Sequence, residues 1–270
     1  MNKRYLGAIL ISPMVIFIFL GGILLKIGVL LLSLGGLFEF YKVSRKKGIK
    51  PLTLASYGAT LVYFFTLDSK YISNPNYYKY LFGILVFSTL VLMCYIVVNN
   101  KFNYNDIAVT ILGFLYVTIF FSYIVLVNQK QNGNLLVWLI FISSWLCDTG
   151  AYYSGKFFGR HKLIPKVSPN KTVEGAIGGL FSSAIACFLF GIFFNMYSTS
   201  IKPVHFLFIG LICGVLCQFG DLIASSIKRY IGVKDFSNLI PGHGGILDRF
   251  DSILFASVVV YYYITFILGM

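Results

Sequence analysis

Residues 218 to 252 read Gln-Phe-Gly-Asp-Leu-Ile-Ala-Ser-Ser-Ile-Lys-Arg-Tyr-Ile-Gly-Val-Lys-Asp-Phe-Ser-Asn-Leu-Ile-Pro-Gly-His-Gly-Gly-Ile-Leu-Asp-Arg-Phe-Asp-Ser. This segment holds four of the nine carboxylates of the chain, beside Lys and Arg side chains, and long apolar runs lie on both sides of it. The four carboxylates are Asp221, Asp235, Asp248 and Asp251. An isolated carboxylate is costly in hydrocarbon, so acids beside cations at a membrane edge suggest a bound metal ion and a phosphate.

The composition is that of a helical membrane protein. Of the 270 residues, 58% are hydrophobic and 11% are charged, and the mean hydropathy is +0.82. In soluble domains about 25% of the residues are charged. Because apolar runs of roughly 18 to 22 residues recur along the chain, we predict an all-α, polytopic integral membrane protein with about nine transmembrane helices. The predicted spans are 5–22, 23–41, 52–67, 79–98, 106–127, 135–155, 173–195, 204–227 and 249–268.

The net charge of +13 has two explanations. A basic chain can bind nucleic acid, but membrane proteins also keep Lys and Arg on the cytoplasmic side of the bilayer. With the N-terminus in the cytoplasm, nine spans place every Lys and Arg on that side except Lys26, Lys70, Lys79, Lys130 and Lys202. We therefore predict a cytoplasmic N-terminus, a location in the cell inner (cytoplasmic) membrane with the active site facing the cytoplasm, and no nucleic-acid partner.

The two halves of the chain differ in their ionisable residues. The first five predicted spans hold few of them, so we interpret residues 1–134 as an N-terminal transmembrane scaffold and residues 135–270 as a catalytic transmembrane region with cytoplasmic loops, within one membrane domain. The scaffold could also present a surface to lipid or to a partner subunit, and a homodimer is left open. The first two spans meet at Gly21 and Gly22 with almost no loop, so they could instead form a re-entrant pair.

Carboxylates occur near the predicted cytoplasmic ends of several spans. The rise of an α-helix places Asp148 and Asp221 on the order of 10–12 Å inside those ends, where they must face water, a cation or Lys and Arg partners. Asp248 and Asp251 are three residues apart and lie on one helical face. They could instead stabilise the N-terminus of the last helix through its dipole. The glycines of residues 241–245 could form an ordinary turn or present N–H groups to phosphate oxygens.

A second charged segment follows Asp148. Its cations could form a rim suited to polyphosphate, and they are Lys156, Arg160, Lys162, Lys166 and Lys171. For Arg160, Lys162 and Lys166 we favour a role in membrane topology. Lys171 is better placed, beside Ser168 and Thr172 at the mouth of a span. His243 is the only histidine that we expect near a ligand, and the chain has no Ser-His-Asp arrangement, HExxH motif or GxxxxGK[ST] loop.

Four segments resemble, in the same order, the signature blocks of the phosphatidate cytidylyltransferase (CDP-diacylglycerol synthase) family. They are Asp148-Thr-Gly-Ala-Tyr152, Ser168-Pro-Asn-Lys-Thr-Val-Glu-Gly175, Gln218-Phe-Gly-Asp221 and the stretch from Ser225 to Asp251. The resemblance covers residues 148–252, and it is specific because spaced polar residues match at many positions of a membrane chain. The N-terminal half matches only in being hydrophobic.

The resemblance implies a reaction of phospholipid biosynthesis, in which CTP and phosphatidic acid give CDP-diacylglycerol and pyrophosphate with Mg²⁺ as cofactor. It also suggests roles for single residues. The expected metal ligands are Asp221 and Asp248, with Asp251 and Asp148 as further ligands or their neighbours. The expected catalytic residues are Asp221, Asp248, Lys228, Arg229 and Lys171. The expected substrate-binding residues are Ser168, Thr172, Lys234, His243, Gly244, Gly245 and Arg249.

Two other functions are compatible with a basic polytopic chain. A CTP-dependent lipid-alcohol kinase would transfer the γ-phosphoryl group and release CDP. A cation-coupled transporter would place acids near the membrane midplane, with little clustering of cations in the loops. Here acids and cations gather at one predicted face, which favours the cytidylyltransferase.

Overall fold

The computed structural model describes residues 15–72, 76–99, 101–198, 201–242 and 244–270. Almost all of these residues are helical. The main helices are α1 (Gly22–Ser44), α2 (Thr53–Thr66), α3 (Tyr77–Val98), α4 (Tyr104–Asn128), α5 (Gly133–Phe158), α6 (Val173–Asn195), α7 (Pro203–Ile231) and α8 (Leu247–Tyr262). Shorter helical pieces are residues 15–20, Arg45–Lys47 and Ser69–Ile72, and π-helical turns occur at Phe114–Ile119 within α4 and at Tyr263–Ile267 after α8.

One feature departs from an all-α fold. Two short antiparallel strands, β1 (Lys162–Ile164) and β2 (Ser168–Thr172), connect α5 to α6. In their register Lys162 lies opposite Thr172 and Ile164 lies opposite Ser168. Pairing of the two strands gives this charged connection a regular structure. The hairpin therefore gives the segment around Lys171 a definite position.

Within the described residues, seven helices are long and apolar enough to cross a membrane. They correspond to seven of the nine predicted spans, and Val173–Asn195 has the predicted bounds. Most of the predicted span 5–22 lies outside the described residues. The predicted span 52–67 corresponds to α2, whose 14 residues extend about 21 Å, which is less than the roughly 30 Å of a bilayer core. The count of nine spans stays a prediction.

α2 nevertheless runs beside most of α4. Polar side chains and backbone groups pair the two segments in sequence order from one end to the other. The pairs are Leu52 with Thr110, Thr60 with Thr118, Tyr63 with Ser122 and Leu67 with Gln129. Since hydroxyl and amide groups in an apolar bundle need partners, these bonds hold α2 parallel to α4.

The loops gather at two ends of the bundle. At one end, which we call the charged end, the Tyr41 hydroxyl of α1 donates to the Thr110 carbonyl near the start of α4. The charged end comprises residues 45–52, 99, 101–103, 159–172, 232–242 and 244–246. At the opposite end, Asn132 Nδ2 donates to Ser198 Oγ and Lys130 Nζ donates to the Met270 carbonyl. All described loops that the sequence assigned to the cytoplasm lie at the charged end.

Small residues let α5 and α6 pack closely near the charged end. A Cβ atom at Gly178 of α6 would collide with the Ser154 side chain of α5, and one at Gly150 would collide with Ser182. Close approach through small residues is the usual device for helix association in membranes. The contact brings the end of α5 beside the start of α6, where two predicted site residues, Asp148 and Lys171, are located.

We expect Gly178→Ala to lower the melting temperature of the purified protein, because the added methyl group meets Ser154 Cβ and cannot be accommodated without moving a helix. Gly83→Ala in α3 is the matched control, since a Cβ atom there has no heavy atom within 4 Å. Alanine favours a helix over glycine by about 1 kcal/mol, so the control should be neutral or stabilising. Thermal unfolding in detergent checks both variants, and equal melting temperatures would contradict the packing.

Candidate functional site

Hydrogen bonds of two side chains connect the β-hairpin to the start of α6. Thr172 is the N-cap of α6, and its hydroxyl accepts a hydrogen bond from Gly175 N at 3.1 Å. Glu174 accepts from Arg160 N at 3.1 Å and contacts the His161 ring nitrogen at 2.7 Å. Carboxylates in the first turn of a helix are favoured by its dipole. These contacts fix β2, and with it the direction of Lys171.

Lys171 forms the first of two ion pairs at the charged end. Its Nζ lies 2.6 Å from Asp221 Oδ2 in α7, and the side chains are 25% and 32% exposed. Asp221 Oδ1 accepts only a long hydrogen bond, 3.2 Å, from Ser225 Oγ one turn later. This carboxylate therefore keeps accessible lone pairs for a further ligand.

Lys228 forms the second pair, which is more deeply buried. Its Nζ lies 2.7 Å from Asp248 Oδ1, and the two side chains are 11% and 6% exposed. Asp248 Oδ2 accepts from Phe236 N at 2.8 Å and from Gly245 N at 3.0 Å. Asp248, in the first turn of α8, thus neutralises a buried lysine and accepts from two N–H groups of the preceding loop. The Lys228 ammonium group also lies over the Phe236 ring, 5.4 Å from its centroid.

Asp148 and Asp251 complete the charged cluster. Asp148 has Asp221 and Lys171 as charged neighbours, and Asp251 has Asp221, Lys228 and Asp148. Asp251 is buried in α8, whereas Asp148 is exposed on α5. α7 and α8 approach closely here, because a Cβ atom at Gly220 would lie 2.5 Å from the Asp251 carbonyl oxygen. Asp148, Asp221 and Asp251 therefore share one region, next to both lysines.

The glycine-rich loop before α8 folds into a tight turn. Ile240 and Gly244 form an isolated antiparallel bridge, and Gly244 has a φ of 82°, a conformation that favours glycine. A Cβ atom at Gly244 would lie 3.1 Å from Asp248 Oδ2. His243, expected near a ligand, lies outside the described residues. The turn therefore presents Gly244 and Gly245 beside the Lys228–Asp248 pair.

Other predicted site residues lie around this cluster. Arg229, Lys234 and Arg249 are exposed, and Arg229 donates to the Val233 carbonyl at 3.5 Å. Ser168 is partly buried at the start of β2. These positions form a polar margin around the two lysine–carboxylate pairs.

The arrangement of these carboxylates decides whether a divalent cation could bind among them. Within the described ranges, no group of three or more His, Cys, Asp or Glu side chains is arranged as a preformed metal site. The chemistry of the donors nonetheless suits Mg²⁺, which prefers carboxylate oxygens and retains several waters. Asp221 and Asp248 each have an oxygen facing a lysine ammonium group, so a positive charge already occupies each of those positions.

Sequence reasoning missed another buried carboxylate close to this cluster. Glu39 of α1 is fully buried and accepts hydrogen bonds from Ser237 Oγ, Ile246 N and Leu247 N. The one signal in the sequence was a single acid near the end of an apolar helix. Such an acid indicates a functional or structural role, but it does not identify the partner. Its partners are about 200 residues away in the chain, so no local pattern could identify them.

Comparisons with known proteins agree with these observations. The profile of the family described as "Cytidylyltransferase family" matches residues 2–267. A phosphatidate cytidylyltransferase of Bacillus subtilis (strain 168) is 34% identical over 265 residues, which cover 97% of each chain. The enzyme of that name from Staphylococcus saprophyticus is 42% identical over 172 residues, 63% of this chain and 64% of the relative. The Staphylococcus aureus (strain COL) protein of the same name is 41% identical over 175 residues, 64% of this chain and 65% of the relative.

We expect Asp248→Asn to destabilise the protein more than Asp221→Asn. Breaking a buried pair leaves an uncompensated charge and costs about 3–5 kcal/mol, whereas a partly exposed pair contributes about 0–1 kcal/mol. Thermal unfolding in detergent measures the difference. The double variant Lys228→Met/Asp248→Asn removes both charges and should recover part of the loss. Equal melting temperatures for the two single variants would contradict the assigned burial.

Proposed function

Because the chain belongs to the cytidylyltransferase family, we propose that it is a phosphatidate cytidylyltransferase, which converts CTP and phosphatidic acid to CDP-diacylglycerol and pyrophosphate. Similarity to a relative of that name along 97% of both chains supports this reaction. The structural observation that carries it is the presence of two lysine–carboxylate pairs at one end of an apolar bundle. Such a site combines oxygen ligands for a cation with fixed positive charges for phosphates.

The reaction is a substitution at phosphorus. An oxygen of the phosphatidate phosphate attacks the α-phosphorus of CTP, a new P–O bond forms, and the bond to the β-phosphate oxygen breaks to release pyrophosphate. Both reactants are anionic and repel one another, so neutralising charge and holding the reactants in line supply most of the catalysis. A phosphomonoester is already ionised at neutral pH, so no general base is required.

Four carboxylates are the proposed cation ligands. Asp221 and Asp248 would hold Mg²⁺, with Asp251 and Asp148 as further ligands or as neighbours that orient them. Bound there, Mg²⁺ would neutralise phosphoryl oxygens and polarise them as a Lewis acid. Lys171 and Lys228, which neutralise Asp221 and Asp248 in this structure, would turn their ammonium groups to the triphosphate. Each lysine would then compensate a carboxylate before substrate binds and a phosphate afterwards.

The surrounding polar residues would bind the remaining parts of the substrates. Exposed cations suit the triphosphate or the phosphatidate headgroup, as the planar guanidinium of Arg can bind phosphate with two hydrogen bonds; they are Arg229, Lys234 and Arg249. The nucleotide pocket would be shaped by Ser168, Thr172, His243, Gly244 and Gly245. CTP would enter from the aqueous side, and phosphatidate would enter sideways from the bilayer.

The membrane orientation is also a proposal. Seven apolar helices support an integral membrane protein. The gathering of Lys and Arg at the charged end supports a cytoplasmic site, since cytoplasmic loops carry an excess of these residues. A cytoplasmic N-terminus and nine spans follow if residues 5–22 and α2 both cross the membrane. The homodimer left open by the sequence stays open.

We expect purified protein with Mg²⁺ to transfer label from [α-³²P]CTP into lipid and to release pyrophosphate only when phosphatidate is present. A lipid-alcohol kinase would instead release the label as CDP, and a transporter would release neither product. Asp221→Asn should abolish turnover, since it removes a charged ligand for the cation. Lys130→Ala, at the opposite end of the bundle, is the control and should retain wild-type turnover.

The proposed orientation predicts opposite labelling of two cysteine variants. Cys94 is exposed, so Cys94→Ser supplies the background. In vesicles of known orientation, an impermeant maleimide should label Lys166→Cys from the cytoplasmic side and Lys202→Cys from the other side, as these exposed positions lie at opposite ends of the bundle. Labelling of both variants from one side would contradict the topology.

A further inference from the structure

Glu39 is a buried carboxylate in the half of the chain that the sequence marks as scaffold. The residue is 0% exposed, near the end of α1 at the charged end. No salt bridge to it occurs among the described residues. Burying an anion without compensation is costly, so its hydrogen bonds must supply the compensation.

Three donors of a distant segment surround this carboxylate. Ser237 Oγ donates to Oε1 at 2.6 Å, Ile246 N donates to Oε1 at 2.8 Å, and Leu247 N donates to Oε2 at 2.9 Å. Ile246 is the N-cap residue of α8 and Leu247 is its first residue, where backbone N–H groups have no partner within the helix and the dipole favours an anion. Glu39 thus acts as an N-cap supplied by another helix.

Glycines lie on both sides of this contact. A Cβ atom at Gly245 would lie 2.6 Å from Glu39 Oε2, and a Cβ atom at Gly35 of α1 would lie 2.5 Å from Ile246 Cδ1. α1 therefore approaches the start of α8 closely enough for a carboxylate to reach two successive backbone N–H groups. The arrangement connects α1 to the residue that immediately precedes Asp248.

Glu39 and Asp248 hold the same loop from two sides. Glu39 binds Ser237 at its beginning and Ile246 at its end, while Asp248 Oδ2 binds Phe236 N at its beginning and Gly245 N at its end. The remaining oxygen of Asp248 faces Lys228. Loss of the Glu39 bonds would remove three hydrogen bonds from this loop, so the orientation of Asp248 toward Lys228 would be less firmly held.

We propose that Glu39 is a positioning residue for the Asp248–Lys228 pair and that it thereby sets the affinity of the site for CTP. The effect of Glu39 on the affinity for CTP rests on the proposed function, whereas its role in positioning the loop before α8 does not. Glu39 itself touches neither substrate in this arrangement, because its carboxylate is fully buried against the loop. Its influence passes through the backbone of residues 236–247.

A matched control separates positioning from general stability. Asp106 is also a buried carboxylate at the charged end, 1% exposed, and it accepts from Lys50 N at 2.6 Å and from Asn103 N at 2.9 Å. Its described partners are in other loops, with no bond to residues 236–247. Glu39→Gln and Asp106→Asn both replace a charged acceptor with an amide of the same shape, which turns one acceptor into a donor facing N–H groups.

The test compares kinetics and hydrogen exchange of these two variants with wild type. For Glu39→Gln we expect a fall in kcat/KM for CTP of about 10- to 100-fold, mainly through KM, as is typical when a residue that orients metal or substrate ligands is changed. The CTP-induced rise in melting temperature should shrink, and the amides of Ile246 and Leu247 should exchange faster. Asp106→Asn should lower the melting temperature yet keep the wild-type KM and exchange at these two amides.

Each outcome decides the proposal. Wild-type KM and unchanged exchange at Ile246 and Leu247 in Glu39→Gln would overturn it, as would the same increase in KM for Asp106→Asn. If Glu39→Gln does not fold, Ser237→Ala carries the test, because it keeps both backbone bonds to Glu39 and should raise KM by a smaller factor. A wild-type protein that makes no CDP-diacylglycerol would defeat the proposed function alone, since the exchange of these amides is measured without substrate.

Discussion

Compensation of charge inside an apolar bundle is the constraint on which the charged end depends. Asp248 is buried against Lys228 and two backbone N–H groups, and Glu39 is buried against two N–H groups and a hydroxyl. A carboxylate left without such partners would cost several kcal/mol, a large share of a net stability of about 5–15 kcal/mol. The Lys228–Asp248 pair therefore joins α7 to α8 at this end, and the hydrogen bonds of Glu39 join α1 to the start of α8.

The lysines that neutralise these carboxylates also bear on the proposed reaction. Lysine ammonium groups stand beside Asp221 and Asp248, the two carboxylates that we propose as ligands of a divalent cation. A site that must accept a highly charged nucleotide gains from cations that can exchange a carboxylate partner for a phosphate. The two pairs differ in exposure, so the outer pair, Lys171 with Asp221, is the easier one to rearrange. The inner pair also maintains the loop before α8.

Much of the fold could be predicted from the sequence. Seven apolar runs are helices with bounds near those predicted, because the length of an apolar run can be read directly from the sequence. The short α2 and the hairpin of residues 162–172 were harder to predict from the sequence. α2 is stabilised by polar pairs with α4, and the hairpin by hydrogen bonds between its two strands. In the site, spacing placed Asp248 and Asp251 on one helix, but it could not show that Asp248 uses both oxygens within the protein.

The sequence by itself determined that the chain is an apolar helical bundle, that its acids and cations lie in a few segments, and which family those segments resemble. Hydropathy and local motifs are properties of neighbouring residues, so they can be read from the chain. Only the tertiary structure decided which lysine neutralises which carboxylate, and that Glu39 of the first half binds the start of α8. Those contacts join residues up to 208 positions apart, and their geometry depends on how whole helices pack.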